Sequence, residues 1–361
     1  MLASERHEII LSLLRQHGTV RLADLVGRLG VSSVTVRRDV TDLADRGLLT
    51  RVHGGVTLAR PRGAQPEPGR SAPGALIGMV APSVEYYWPP VIQGAQSTVA
   101  GAGGRLVLRA SRYDAAEDRR QVGKLLERGV QTVLAAPDTG GRGARDLLRW
   151  LGSLPVPVIL VERLPPPELP TLALDAVTTA HALGAGLAVR HLVSLGHHRV
   201  GLVTSRSSPT SRALRTGWRE TIESLGQEPG VDFDVPAYGS PDWAGVYDGV
   251  LDRCRREDVR ALLVHSDREA IGLIERARDG GIAVPGELAV VSYDDEVAAV
   301  SDPPLTAVRP QKHRLGALAA ELALARLAEG ADRPVHRVQL WPTLVVRESC
   351  GAAADSAPVA W

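Results

Sequence analysis

Short apolar runs alternate with helical patterns through most of this 361-residue chain, from Ala75 onward. Each run is apolar nearly throughout, which is typical of a strand whose two faces are covered by the helices of a parallel sheet. The clearest runs are residues 75–81, 105–110, 132–136, 156–161, 199–204, 261–266 and 288–294. Such units, about eight in all, exceed one ordinary sheet. We therefore predict an α/β fold of two consecutive lobes, each a doubly wound parallel sheet, with a ligand cleft between them.

The composition excludes several other classes of protein. Hydrophobic residues make up 44% and charged residues 23% of the chain, as in ordinary globular proteins. Cys254 and Cys350 lie far apart and in no C-x-x-C spacing, so neither a disulfide scaffold nor a metal site is predicted. No apolar span of about 18 residues is present, and polar residues occupy positions 5–8, where a secretory signal needs an apolar core. We expect a cytoplasmic protein with no membrane contact, no cofactor and no metal.

Charge and composition also divide the chain. Residues 1–60 carry nine Arg and six acidic residues, whereas the rest of the chain carries 33 basic and 35 acidic residues. An excess of basic charge in one short segment is expected where a protein meets a polyanion. Residues 60–75 are rich in Pro and Gly, which predicts a linker. The predicted domains are therefore 1–59 and 76–351, with a flexible tail at 352–361.

The first domain has the pattern of three short helices. In the third helix, Val36, Val40 and Leu43 recur at i, i+4 and i+7 and form an apolar stripe for a small core. Ser32 or Ser33 can cap this helix. At about 100° per residue, the positions around Arg38 point away from the stripe, as in a recognition helix. There an Arg can bind guanine bidentately, and a Thr or Val can contact a thymine methyl group in the major groove.

A wing follows the third helix. After Gly47, two short strands are predicted around His53-Gly54-Gly55, and Arg51 on the wing can contact phosphate or the minor groove. Asp39 is predicted to pair with an Arg of its own helix rather than to contact DNA. The alternative is a three-helix bundle with a solvated basic face. The predicted DNA contacts are Ser33, Val34, Thr35, Arg37, Arg38, Thr41, Arg51 and His53.

Residues 31–56, VSSVTVRRDVTDLADRGLLTRVHGGV, carry a family resemblance. They resemble the winged helix-turn-helix of DeoR-type bacterial repressors, in which Thr-(Ile/Val)-Arg-Arg-Asp and the Arg-Val-His-Gly-Gly wing are hallmarks. The resemblance covers residues 4–58 and implies binding to double-stranded operator DNA. DeoR-type proteins usually continue with a sugar-phosphate isomerase-like domain, and this chain does not.

The larger part of the chain resembles a different family. From about Ala75 to Gly351 it is similar to the effector domain of LacI and GalR repressors, which is related to type I periplasmic sugar-binding proteins. The motifs that carry this resemblance are IGMVAPS, PVILVER, HLVSLGHHRVGLV, HSDREAIGL, VPGELAVVSYDD, PPLTAVRP and PTLVVRESC. Such repressors normally have a hinge helix that enters the minor groove. Here a Pro/Gly-rich linker replaces it, so that mechanism of groove bending is not expected.

Polar residues at the carboxyl ends of the predicted strands are the candidates for the cleft, because ligands bind there in parallel sheets. Carboxylates and Arg suit sugar hydroxyls, and an aromatic face can cover the apolar side of a sugar. The resemblance adds Glu162, where relatives often have an Asp that binds a hydroxyl, and Trp243, where an aromatic residue often stacks on the ligand. The predicted ligand contacts are Ser83, Tyr87, Glu162, Arg212, Trp243, Ser266, Asp267 and Asp294.

Several of these assignments have alternatives. Arg215 competes with Arg212, because the spacing to Gly217-Trp218 differs from the commonest family form. Trp243 could pack on the lobe surface instead of stacking on ligand, and Asp294 could stabilise a turn. The histidines have no spacing that predicts a site together.

The sequence therefore predicts a transcription regulator, in particular a repressor, controlled by a small ligand such as a sugar. A homodimer is expected because operators are usually bound by two related helices. Two alternatives are a sugar-processing enzyme with Asp294 and Glu162 as its acid/base pair, and a solute-binding protein. The sequence lacks the common catalytic motifs, so we predict no enzymatic activity.

Overall fold

The chain divides into two compact units, residues 1–69 and residues 70–361. This computed structural model describes residues 74–352 of the larger unit. In the smaller unit it describes residues 6, 7, 9–11, 13, 14, 19–45, 49–52 and 55–58. The predicted linker lies almost entirely outside the described residues, as does nearly all of the predicted tail.

The described residues of the smaller unit form three helices and a three-stranded antiparallel sheet of order β1-β3-β2. Val36, Val40 and Leu43 are at most 2% exposed, which confirms the predicted apolar stripe. Strand β1 was not predicted, since its three residues are too short to give a pattern. The elements are α1 (helical at residues 6, 7, 9–11, 13 and 14), β1 (Thr19–Arg21), α2 (Leu22–Leu29), α3 (Ser33–Asp45), β2 (Leu49–Val52) and β3 (Gly55–Leu58).

The first lobe of the larger unit is a six-stranded parallel sheet of order β14-β8-β7-β6-β4-β5. An apolar core lies on each of its faces, as the uniformly apolar strands predicted. Its strands are β4 (Leu76–Ala81), β5 (Arg105–Ala110), β6 (Thr132–Ala135), β7 (Val158–Val161), β8 (Asp175–Thr179) and β14 (Arg337–Leu340). Its helices are α4 (Trp88–Gly101), α5 (Ala115–Glu127), α6 (Ala144–Gly152) and α11 (Lys312–Glu329).

The second lobe has a six-stranded sheet of order β10-β9-β11-β12-β13-β15, in which only the edge strand β15 runs antiparallel. It too has an apolar core on each face. Its strands are β9 (Arg199–Ser205), β10 (Glu228–Val235), β11 (Ala261–His265), β12 (Ala289–Tyr293), β13 (Thr306–Arg309) and β15 (Thr343–Val345). Its helices are α7 (His181–Ser194), α8 (Ser211–Ser224), α9 (Trp243–Arg256) and α10 (Asp267–Asp279).

The chain passes between the lobes three times, after β8, after β13 and after β14. These crossings put the carboxyl ends of both sets of parallel strands beside one cleft. All seven predicted runs form strands, and the two-lobed α/β prediction is confirmed. Among the described residues, no helix has both the length and the apolar character needed to cross a membrane.

Candidate functional site

A cavity of about 240 Å³ lies between the two lobes of the larger unit. Four aromatic side chains of the first lobe line it, Tyr86, Tyr87, Trp88 and Tyr113. The lining from the second lobe is polar and includes several residues that end or follow β9, β11 and β12: Ser205, Ser207, Ser208, His265, Ser266 and Asp294. Aromatic faces opposite hydroxyl and carboxyl groups form a surface that suits a small polyhydroxylated molecule.

Glu162 follows β7, and its buried carboxylate accepts hydrogen bonds from several protein groups. Its oxygens accept hydrogen bonds from Thr179 N at 2.8 Å and Thr179 Oγ1 at 2.6 Å, and also from the Tyr87 hydroxyl. His181 Nε2 lies 3.2 Å from Glu162 Oε2. Burial raises the pKa of Glu162, but His181 and the Thr179 donors outweigh it and lower that pKa to about 2. Glu162 is therefore charged at neutral pH and already largely satisfied by the protein.

Asp294 follows β12 and, unlike Glu162, has no hydrogen-bond donors at its carboxyl group among the described residues. It is 4% exposed, and its carboxyl oxygens accept no hydrogen bond from any part of the chain that the structure describes. Burial raises the pKa of Asp294 well above its usual range, Lys312 lowers it, and the charges of Asp267, Glu296 and Glu162 raise it further. A buried carboxyl group that faces a cavity and receives no hydrogen bond from the protein can accept hydrogen bonds from a ligand.

Two histidines also border the cavity. His181 begins α7, and its Nδ1 lies 3.1 Å from the hydroxyl of Tyr293. His265 ends β11, and its Nε2 lies 3.8 Å from Asp294 Oδ2. Burial lowers the pKa of His265 to about 4, so its ring is neutral at pH 7. His265 Nδ1 is buried without a hydrogen-bond partner in the described part of the chain. The sequence did not predict this pair, because a separation of 84 positions gives no local pattern, and the two residues meet only in the folded second lobe, where one begins α7 and the other ends β11.

Five of the eight predicted ligand contacts line this one cavity: Ser83, Tyr87, Glu162, Ser266 and Asp294. Ser266 has a second role, since its hydroxyl donates to Glu269 Oε2 at 2.6 Å in the capping box of α10. The structure places the other three predicted contacts elsewhere.

Asp267 is fully buried and stabilises the loop after β12. Its Oδ1 accepts from Ser292 Oγ at 2.7 Å, and its Oδ2 accepts from the backbone N–H groups of Glu296 and Val297. Because protein donors fill this carboxylate, it has little capacity left for a ligand. The sequence position at the end of a strand does not distinguish Asp267 from Asp294.

Trp243 takes the packing alternative. It begins α9 and is half-buried against Tyr238 and Tyr247, with edge-on ring centroids 4.8 Å and 5.3 Å away. All three aromatic residues belong to or pack on the apolar core of the second lobe.

Arg212 and Arg215 both lie near the start of α8 and line a separate cavity. Arg215 donates to Asp232 at 2.8 Å and to Asp234 at 2.8 Å. Arg212 is exposed, and its guanidinium contacts none of these carboxylates. Arg215 is therefore paired with two protein carboxylates, whereas Arg212 is paired with neither of them.

Sequence reasoning also missed Arg163, which lines the cavity beside Glu162. It is 7% exposed and donates to the Pro137 carbonyl at 3.1 Å and to the Tyr113 hydroxyl at 3.0 Å. The one sequence signal for Arg163 is its position directly after Glu162, which follows a buried strand.

In the smaller unit, α3 has the character of a recognition helix. Ser32 Oγ accepts the backbone N–H of Thr35 at 3.2 Å, so Ser32 caps this helix and Ser33 is its first residue. Ser33, Arg38 and Thr41 are exposed, and Thr35 is partly exposed. Val34 and Arg37 take helical positions in α3, and Arg51 lies in β2. His53 lies outside the described residues.

Asp39 faces the core side of α3 and pairs with α1. Arg6 Nε donates to Asp39 Oδ2 at 2.7 Å, and Arg6 Nη2 donates to Oδ1 at 2.9 Å. This hydrogen-bonded Arg6 lowers the pKa of Asp39. Asp39 therefore pairs with an Arg, but the prediction of a partner within the same helix is wrong, because Arg6 belongs to α1 and the ion pair fixes α3 against α1.

Comparisons with known proteins match both units. Residues 6–62 match the family of DeoR-like helix-turn-helix domains, and residues 189–350 match the family of periplasmic binding protein-like domains. The HTH-type transcriptional regulator reg1 of Streptomyces lividans is 29% identical over 344 residues, which are 93% of this chain and 98% of that relative. The arabinose metabolism transcriptional repressor of Geobacillus stearothermophilus is 23% identical over 335 residues, which are 90% and 89% of the two chains.

Solved structures share the fold. The transcriptional regulator CelR in complex with cellobiose has a TM-score of 0.64 and 23% identity, and the match covers 88% of this chain and 91% of CelR. A LacI family transcriptional regulator of Enterococcus faecium with bound ribose has a TM-score of 0.61 and 20% identity, with coverage of 79% and 100%.

Proposed function

Because this chain joins a DeoR-like helix-turn-helix domain to a LacI-type periplasmic-binding-protein-like domain, we propose that it is a ligand-controlled transcriptional repressor. Operator DNA binds the smaller unit, and a small effector binds between the lobes of the larger one. The relatives described above are named as transcriptional regulators, which supports regulation over catalysis.

The proposed effector is a sugar or a sugar derivative. The cavity combines aromatic faces with the carboxyl group of Asp294, which has no donor from the described part of the chain and to which a sugar hydroxyl can donate. One relative is named for arabinose metabolism, and the structural neighbours hold cellobiose and ribose. The proposed ligand contacts are Ser83, Tyr87, Glu162, Ser266 and Asp294.

For the DNA-binding half, α3 is proposed to lie in the major groove, and the β2–β3 wing beside the phosphate backbone. One such helix reads only a short half-site, so the active form is proposed to be a homodimer. The proposed DNA contacts are Ser33, Val34, Thr35, Arg37, Arg38, Thr41, Arg51 and His53.

The observation that carries this function is the unsatisfied carboxyl of Asp294 in a cavity lined by both lobes. A ligand that donates to Asp294 and packs against first-lobe groups such as Tyr87 favours the lobe arrangement in which it touches both. The effector changes the population of that arrangement by its difference in affinity for the two states, and DNA binding changes with it.

The test is footprinting of the full chain on the DNA upstream of its own gene, alone and with a panel of monosaccharides, disaccharides and sugar derivatives. We expect a protected site with two-fold related halves, and one member of the panel should weaken the protection. Protection that no sugar alters would contradict control by a sugar, and the absence of any protected site would contradict DNA binding at that promoter.

A further inference from the structure

A second cavity of about 640 Å³ adjoins the first, since Ser205 and Ser208 line both. Its first-lobe wall is the loop 138–141, which follows β6. Its second-lobe wall is the start of α8 with the neighbouring end of β10 at Asp234. The two cavities therefore form one continuous cleft, of which the effector's ring needs only the smaller part.

The second cavity is lined by four Arg side chains, and three of them are bound by the protein. Arg215 and Arg219 pair with Asp232, and Arg215 pairs with Asp234 as well. Arg206 Nε donates to the Asp234 carbonyl at 2.9 Å. The fourth is Arg212.

Arg212 has no hydrogen bond or ion pair from its guanidinium to any residue between 74 and 352, the part of the larger unit that the structure describes. Its Nη2 lies 3.3 Å from the point where a Cβ on Gly140 would stand, so this second-lobe cation contacts the loop of the first lobe. Asp138 on that loop is engaged locally, since its Oδ1 accepts the Gly140 N–H at 2.9 Å. Of the other two acidic groups, Asp234 pairs with Arg215, and Glu220 also lines a different groove beside Trp341.

The first cavity has one other Arg without a hydrogen bond or ion pair to residues 74–352, Arg268, and its guanidinium stacks on an aromatic ring. Its Arg163 donates to two carbonyls and a hydroxyl, and its Arg268 lies over the Tyr86 ring at 4.8 Å. At about 240 Å³ this cavity is also smaller than the ~300–1,000 Å³ of sites for drug-sized ligands. A ligand with more than one ring-sized part must therefore extend into the second cavity, toward Arg212.

We propose that the effector is a sugar that carries an anionic group, a phosphate or a carboxylate, with its ring in the first cavity and its anion against Arg212 in the second. A guanidinium binds such oxyanions with charge-assisted, often bidentate hydrogen bonds. The anion would also join the lobes, because Arg212 already contacts the first-lobe loop from the second lobe. This inference rests on the proposed function and adds the chemical class of the effector.

The test compares matched ligands by calorimetry on the full chain: glucose, glucose 6-phosphate and glucuronate, and ribose with ribose 5-phosphate. Wild-type protein should bind an anionic member about tenfold or more tightly than its neutral parent, as expected for a charge-assisted contact. Arg212→Gln should remove most of this preference. Arg219→Gln is the matched control, since it removes a cation that lines the same cavity but pairs with Asp232.

The two arms identify the anion, because a preference for glucose 6-phosphate alone indicates phosphate and a preference for glucuronate alone indicates carboxylate. Equal or tighter binding of the neutral parents would overturn this inference while leaving the proposed function intact. An equal loss of preference in Arg212→Gln and Arg219→Gln would overturn the assignment to Arg212. Binding of no member of either set would count against both proposals.

Discussion

Two carboxyl groups of one cavity are held in opposite states by their neighbours. Glu162 has the backbone N–H and hydroxyl of Thr179 together with His181, so its pKa falls to about 2 despite burial. Asp294 is buried as completely but lies near three other carboxyl groups with only Lys312 to offset them, and its pKa is raised. At the scale of residues, protein donors therefore satisfy the carboxylate of Glu162, whereas the carboxyl group of Asp294 receives no hydrogen bond from the described part of the chain.

This difference predicts how stability depends on pH. A carboxyl whose pKa is higher in the folded than in the unfolded state binds more protons when folded, so its contribution to stability falls as pH rises above the unfolded value of ~3.9. Asp294→Asn removes that dependence, and Asn tolerates the positive φ of 100° at this position. In urea unfolding of the larger unit, the variant should gain stability relative to wild type between pH 4 and pH 7. A difference that is constant over this range would contradict the raised pKa.

Arg38 gives a prediction for the DNA-binding unit. It is exposed on α3, and its replacement by Ala should weaken operator binding by ~1–3 kcal/mol and relax the preference at one base pair per half-site. Arg28→Ala is the control, because Arg28 is an exposed cation on α2. Binding isotherms on operator and scrambled DNA measure both effects. Equal losses in the two variants would indicate a general effect of charge and would contradict base contact by Arg38.

At the scale of elements, the sequence predicted those strands of the larger unit that are apolar throughout and missed the others. The burial pattern of β4 or β7 leaves an apolar run that is visible without a structure. In β10, exposed and buried positions alternate irregularly through Glu-Pro-Gly-Val-Asp-Phe-Asp-Val, because it is an edge strand with one neighbour. The short strands β13–β15 have no pattern of their own, since the lobe crossings and not local propensity fix their positions.

The site follows the same division. Residues that follow apolar strands, such as Glu162 and Asp294, could be predicted because strand ends define the cleft of a parallel sheet. Strand position alone could not separate Asp294, which lines the cavity, from the loop-stabilising Asp267. His181 and His265 could not be paired at all, because their proximity depends on how α7 packs beside β11 within the second lobe.

Close packing of α4 and α11 gives a prediction for the first lobe. A Cβ on Gly316 would lie 1.8 Å from the Val91 carbonyl oxygen, so Gly316→Ala must separate the two helices. We expect it to destabilise the larger unit by ~1–3 kcal/mol, the usual cost of overpacking. Gly123→Ala on α5 is the control, because its Cβ meets nothing within 4 Å, and Ala there should stabilise the helix by ~0.5–1 kcal/mol. Thermal unfolding of both variants measures the difference, and equal effects would contradict the close contact.

At the scale of the whole molecule, a unit that resembles a DNA-binding domain and a unit with a ligand cleft share one chain. Regulation requires that the ligand's free energy of binding to the second unit changes the affinity of the first unit for DNA. The coupling is reciprocal, so operator DNA must change the affinity for the effector by the same factor.

A homodimer is the predicted form of the active protein. Two recognition helices related by a two-fold axis match a palindromic site, and one helix alone contacts too few base pairs for specific binding. Sedimentation of the full chain at micromolar concentration should give twice the mass of 38.4 kDa. A mass of one chain that operator DNA leaves unchanged would contradict this prediction.

The most direct test of the central claim measures operator affinity against effector concentration in three proteins by fluorescence anisotropy, once footprinting has identified the site and the sugar. The proteins are wild type, Asp294→Asn and the control Asp248→Asn, whose carboxyl pairs with Arg276 on the second lobe. Asp294→Asn should bind operator as wild type does but require more effector for release, since the amide has one acceptor oxygen where the carboxyl has two, and each lost hydrogen bond costs about 0.5–1.5 kcal/mol. Asp248→Asn should respond as wild type does. An unchanged effector response in Asp294→Asn would contradict the claim that a ligand held at Asp294 controls the binding of DNA.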